Sequence, residues 1–289
     1  MQPTRTLLDD GRWHFHFGPI DLIISADGDA TAIHDAVELS WLRFAEILPE
    51  LVAELSLLRQ PVQQTISVAS AVARRMVAAC WPHRAQFITP MAAVAGAVAD
   101  EMLTFFCRAP GVTRASINNG GDIALHLQQG QSYKIGLVTD IAQYAGMPDG
   151  SFMIDAAMPV RGIATSGWRG RSLSLGIADS VTVLAKNAAA ADAAATMIAN
   201  AVNAEHAAIQ RAPAHSIKDD TDLGSLLVTT AVGVLPRELV AQVLQQGTTV
   251  AQALINDGVI EAVVLTLQGQ FRAAGLAQHQ LSAPLKFAA

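Results

Sequence analysis

The run Ser116-Ile117-Asn118-Asn119-Gly120-Gly121-Asp122-Ile123 sets two adjacent glycines and an acid between two apolar, strand-like stretches. A Gly-Gly step has no side chain to clash, so the backbone can reverse there and another group can approach it closely. The segment predicts a tight hairpin with Asp122 at its mouth rather than in a core. Taken alone, a Gly-Gly-Asp turn needs no function beyond turning the chain. Two later segments share its polar, small-residue character: Ala164-Thr165-Ser166-Gly167 and Ala191-Asp192-Ala193-Ala194-Ala195-Thr196. Together the three are the chain's candidates for a ligand site.

The chain has 289 residues and is 51% hydrophobic. That suffices for a large core, in a single domain over residues 1–289 or in two intimate subdomains. Alanine and valine dominate and aromatics make up only 5%, so close helix packing is expected rather than aromatic clusters. Net charge is -6 and no Lys/Arg run exceeds a pair, which argues against a nucleic-acid surface. Cys80 and Cys107 are too far apart for a CxxC pair and read as buried free thiols of a reducing compartment. The start, Met1 to Arg5 and on to Asp9-Asp10, shows no apolar leader. No apolar run reaches 18 residues without polar interruption. A soluble, cytoplasmic chain with no membrane partner is the expectation.

Trp13 to Phe17 alternates strictly, and Ile20 to Ser25 is a second strand joined to it by Gly18-Pro19. Residues 30–58 carry helical spacing that Pro49 should break. Residues 67–80 and 90–107 predict further helices, the second opened by Thr89 as N-cap and Pro90. Val112 to Ile117, Ile123 to Leu127 and Tyr133 to Val138 predict strands, the last two a hairpin through Gln128-Gln129-Gly130. Strands are also expected at 153–158, 162–165 and 180–184. An Ala-rich helix over 188–208, an apolar segment near 224–234, helices near 236–246 and 248–256, and strands at 259–267 and 270–274 follow. Helices and strands come in runs, which favours α+β with antiparallel sheet. GxGxxG and P-loop patterns are absent.

Asp192 and Thr196 stand four apart on the Ala-rich helix and so share one face. A carboxylate and a hydroxyl on smooth alanine suit a hard cation such as Mg²⁺. A plain polar helix edge, with Asp192 favoured by the helix dipole, accounts for them too. In the loop from Thr165 to Ser172, hydroxyls and backbone N–H groups can hold a phosphate that Arg169 or Arg171 neutralises; an ordinary exposed loop has the same composition. His14 and His16 share a strand face, as a metal pair or as a solvated edge. No Ser-His-Asp constellation is readable from spacing.

In order over about residues 86–205, these segments resemble the ApbE-like superfamily, whose best-known members are flavin transferases. Those enzymes move FMN from FAD to a threonine of a target protein, using Mg²⁺. Thr89 to Asp100 is similar to the family's Gly-containing helix. Asn118 to Ile123 resembles its Asn-x-Gly-Gly-Asp-Ile motif, and Thr165-Ser166-Gly167 its Thr-Ser-Gly loop. Ser180 to Val183 with Asp192 and Thr196 resembles its metal-binding strand and helix. The resemblance implies an α+β, T-fold-related fold of antiparallel sheets packed with helices. It implies a small nucleotide ligand (FAD or FMN), contacted by Asn118, Gly120, Gly121, Asp122, Thr165, Ser166, Gly167 and Arg171. It makes Asp192 and Thr196 the Mg²⁺ ligands.

One departure stands out. Where flavin transferases carry His-x-x-Asp-Pro, this chain has Ser172-Leu173-Ser174-Leu175-Gly176-Ile177-Ala178-Asp179, with neither histidine nor proline. In this respect it is similar to a shorter, functionally uncharacterised branch of the superfamily. Asp179 is then the residue placed to take over acid–base work, which requires a raised pKa. The alternatives are a non-catalytic binding or assembly protein of a cofactor or sulfur pathway, or an oligomerisation role as a homodimer built on the Ala-rich helices.

Overall fold

The computed structural model describes residues 2–137 and 150–275. The expected strand end at Val138 lies outside them. The chain divides into two compact units. Within the described residues, the first comprises 2–132, 155–164 and 185–193, and the second 133–137, 150–154, 165–184 and 194–275.

In chain order the elements begin with β1 (Thr4–Leu7), β2 (Trp13–Phe17) and β3 (Ile20–Gly28). Then come α1 (Ala30–Ala53), the short α2 (Leu55–Leu58), α3 (Ala71–Cys80) and α4 (Val94–Cys107). Next are β4 (Val112–Asn119), β5 (Asp122–Leu127), β6 (Ser132–Leu137), β7 (Gly150–Asp155), β8 (Gly162–Ser166), β9 (Ser180–Ala185) and α5 (Ala188–Ala201). The chain continues through β10 (Ile209–Pro213), α6 (Ala214–Ile217), β11 (Leu227–Val232), α7 (Arg237–Asn256), β12 (Ala262–Leu267) and β13 (Gln270–Ala274). The result is an α+β fold with antiparallel pairing, as expected.

In the first unit β1 to β5 lie side by side in chain order, and β8 pairs with β5 through Ile123↔Ile163 and Ala124↔Gly162. On β3, Ile20, Leu22 and Ile24 are buried while Asp21, Ile23 and Ser25 are half-exposed, the period-two pattern of a sheet covered on one face. Helices α1 and α4 cover it. In the second unit β12 pairs with both β9 and β13, and α7 packs on β12 and β13. Every residue of β9 and β12 is buried. A separate two-stranded sheet joins β6 to β7 and another joins β10 to β11.

Several expectations need correction. Helix α1 runs through Pro49 and ends only at Ala53. Pro49 is exposed, so water can take the carbonyl that loses its helical partner. The predicted β5–β6 hairpin does not form, because β5 pairs with β4 and β8 while β6 pairs with β7. The Ala-rich helix stops at Ala201, and the two helices expected after residue 236 are one, α7, running through Gly247. An aromatic cluster does exist. Phe15 lies 5.0 Å from Trp41 and 5.4 Å from Phe44 by ring centres, with the Arg5 guanidinium 5.3 Å from the centre of the Trp41 ring. Neither cysteine is in a disulfide, and only Cys80 is buried; Cys107 is exposed at the end of α4. The segment Pro90–Cys107 is long and apolar enough to cross a membrane, by length and composition only; it is mostly buried within the protein.

Thr89 precedes a 3-10 turn, Pro90–Ala93, and its side chain does not cap it. The first turn of α4 is capped from another helix instead. Asp192, on α5, accepts the Gly96 N–H at 3.0 Å. The favour is returned: Asp100, on α4, accepts the Ala188 and Ala189 N–H groups at 2.9 Å each, at the start of α5. Gly96 permits the contact, since a β-carbon there would lie 2.3 Å from the Ala188 carbonyl oxygen. Amides at the start of each helix, which would otherwise be orphaned, are thus satisfied by a carboxylate borne on the other helix.

Asp100 is 8% exposed, and burial raises its pKa to about 6 against the pull of the two N–H groups. Truncating it strands two buried donors. Asp100→Ala should therefore lower unfolding stability by about 3 kcal/mol, measured by urea denaturation; a loss below about 1 kcal/mol would show that the interlock contributes little. His83 offers a second test. Its Nε2 is buried without a hydrogen-bond partner, and burial lowers its pKa to about 4. The folded state resists a proton that the unfolded chain accepts near pH 6.5. Stability from this group is present above pH 6.5 and is lost as pH falls toward 4, by about 3 kcal/mol at most. Stability curves of wild type and His83→Gln should converge across that window, and parallel curves would refute the assignment.

Candidate functional site

The hairpin β4–β5 turns through Gly120 and Gly121 alone, both at positive φ (64° and 115°), where other residues are strained. The Asn118 Oδ1 accepts the Gly121 N–H at 2.8 Å and closes the turn. Asn119 stands opposite Asp122 in register. It is buried, and its amide nitrogen donates to the Ala95 carbonyl at 3.1 Å. The hairpin tip is therefore pinned to the first turn of α4, where Asp192 also binds.

This brings Asp122 within electrostatic reach of Asp192. The Asp192 carboxyl is held well above the usual carboxylate range, first by burial and then by the Asp122 charge; the Gly96 and Ala95 N–H groups pull the other way, and the Asp100 charge adds to the rise. Two carboxylates that raise one another's pKa are stabilised by a nearby cation. Their oxygen-only chemistry fits a hard divalent ion. Among the described residues no group of three or more His, Cys, Asp or Glu side chains could hold a metal. A cation at Asp122 and Asp192 would complete its shell with backbone carbonyls, hydroxyls and water, which suits Mg²⁺ and not a zinc-type N/S set. Thr196 follows one turn after Asp192 on α5 and is half-buried. Asp100 is the acid that spacing and motif do not point to: it stands next to Glu101 in a mostly apolar helix, and only its burial separates the two.

In the second unit, Thr165 shares a 2.9 Å hydroxyl hydrogen bond with Thr182. Ser166 is half-buried. Gly167 lies against the backbone of Asp179, where a β-carbon would approach the carbonyl oxygen to 2.3 Å. The Asp179 side chain accepts the Trp168 indole N–H at 3.2 Å and the Gln268 backbone N–H at 2.6 Å. Arg169 lies 3.6 Å from the same carboxylate and 5.0 Å from the centre of the Trp168 ring. Asp179 and Arg169 are thus engaged in holding the loop, and Arg171 is exposed.

The segment from Ser172 to Asp179 is laced to the end of α5. The Leu175 N–H donates to Asn200, the Ile177 N–H to the Val202 carbonyl, and the Asn203 amide to the Leu175 carbonyl. Gly176 is pressed to the chain so closely that a β-carbon would lie 1.9 Å from the Ala199 oxygen. Elsewhere, a surface cleft of about 600 Å³ is lined by Ile66, Val68, Arg74, Val77 and Trp81 among others. It contains none of the motif residues.

The UPF0280 protein of Methanospirillum hungatei is 33% identical over 153 residues, covering 52% of this chain and 59% of that one. The UPF0280 protein of Methanothermobacter thermautotrophicus is 39% identical over 117 residues, covering 40% and 43%. The chain spans about half the length of these curated relatives. The solved flavin transferase ApbE from Vibrio cholerae aligns with a TM-score of 0.43 and 13% identity over 94% of this chain and 97% of that chain. A family model described as AbpE bacteria matches residues 5–273, and the chain belongs to that ApbE-like family.

Proposed function

We propose that this protein binds a flavin or related nucleotide together with Mg²⁺. The observation that carries the reading is that Asp192 and the hairpin bearing Asp122 are both tied to the first turn of α4, through the Gly96 N–H and through Asn119, on residues whose motifs also follow one another in the family's order. Asp192 and Asp122 hold the cation, and Thr196 is their companion by its spacing along α5. Mg²⁺ supplies positive charge to a diphosphate. Asn118 and Gly120-Gly121 shape the turn that presents Asp122. The roles of Thr165, Ser166, Gly167 and Arg171 in holding the nucleotide rest on sequence resemblance.

A second reading, binding without transfer, draws on the Ser172–Asp179 segment. It carries no histidine, and its one acid, Asp179, already accepts two N–H groups and lies beside Arg169. A general acid or base needs its carboxylate within reach of substrate.

Calorimetric titration with FAD, with and without Mg²⁺, tests the first reading. Saturable binding should be at least tenfold tighter with Mg²⁺, and Asp192→Asn or Asp122→Asn should remove that advantage. Equal affinities would overturn the metal assignment, and no FAD binding at all would overturn the reading. Under the second reading, incubation with FAD and Mg²⁺ releases no AMP; steady AMP release would defeat it.

A further inference from the structure

The exchange of carboxylates between α4 and α5 has a chemical consequence for the cation site. Gly96, which donates to Asp192, lies four residues before Asp100. Ala188, which donates to Asp100, lies four residues before Asp192. One helical turn on each side closes a ring of hydrogen bonds. Movement of α5 away from Asp100 therefore carries Asp192 with it. Small movements matter, because Mg²⁺ and similar ions require oxygen donors close to about 2.1 Å in near-octahedral array.

We infer that Asp100 is a positioning residue for the cation site: by gripping the Ala188 and Ala189 N–H groups it fixes the first turns of α5, and so the place at which Asp192 is presented. This rests on the cation-binding role proposed above for Asp192. Asp100 itself does not touch the ion. Its carboxylate is spent on two backbone amides at 2.9 Å, deep in an apolar contact. Loosening this anchor degrades the preorganisation on which the ligand set depends.

Mn²⁺ alone serves as the probe, with free ion counted by electron paramagnetic resonance well below each variant's Tm. The variants are Asp100→Asn, Asp192→Asn and Asp29→Ala. Asp29 caps α1 by accepting the Ala32 N–H at 2.9 Å, so its loss mimics a purely structural defect in the same unit. Wild type should bind Mn²⁺ and Asp192→Asn should lose it. Asp100→Asn should bind at least tenfold more weakly, and Asp29→Ala should lose Tm with unchanged affinity. Asp100→Ser, which keeps a short acceptor, replaces the Asn variant if that does not fold. Wild-type affinity in Asp100→Asn or Asp100→Ser, with Asp192→Asn inactive, overturns the positioning role alone. Equal loss of affinity in Asp29→Ala also overturns it, because general destabilisation then suffices. No Mn²⁺ binding by wild type overturns the cation reading and this inference with it.

Discussion

The first unit depends on one exchange: a carboxylate of α4 caps α5, and a carboxylate of α5 caps α4. Each helix start leaves N–H groups without partners, and burial makes that costly. A buried carboxylate is costly as well. Paired, the two costs offset one another. Gly96 sets the geometry by bringing the two backbones into direct contact, which no residue with a β-carbon could do unaltered. The alanines of α5 act in the same sense. Ala188, Ala189, Ala191 and Ala193 are all buried, so the helix can be enclosed without bulky side chains holding its neighbours away.

The same exchange explains why Asp192 is chemically unusual. It is a cap, and it also feels the charge of a second acid, Asp122, carried on a hairpin that Asn119 ties to the α4 entrance. A capping role alone is served by any lone acid. Setting a second carboxylate against it adds repulsion that a cap does not need. That excess negative charge is the physical motive for the cation in the proposed function, and Asp100 sets how firmly it is presented.

The second unit shows how a motif can be present and differently employed. The Thr-Ser-Gly loop is there, yet Asp179 and Arg169 near it are engaged with Trp168 and with each other. The chain from Ser172 to Ile177 is stitched to residues 199–203 by backbone and amide hydrogen bonds. The side chains of Asn200 and Asn203 make two of these bonds.

Sequence alone determined what is local. The Gly120-Gly121 turn, the alternation of β2 and β3, the α+β class and the family motifs were legible because each depends on neighbouring residues and on steric rules of the backbone. It also supplied Asp122 and Asp192 as candidates, by spacing and resemblance. Only the tertiary structure decided what meets what. β5 chose β4 and β8 over β6, α1 continued past Pro49 because water could take the freed carbonyl, and Thr89 left the capping of α4 to a residue 103 positions away. Asp100 had no local signature that set it apart from its neighbour Glu101. Its partners, Ala188 and Ala189, become visible only when the chain folds, because a hydrogen bond is specified by distance in space and not along the sequence.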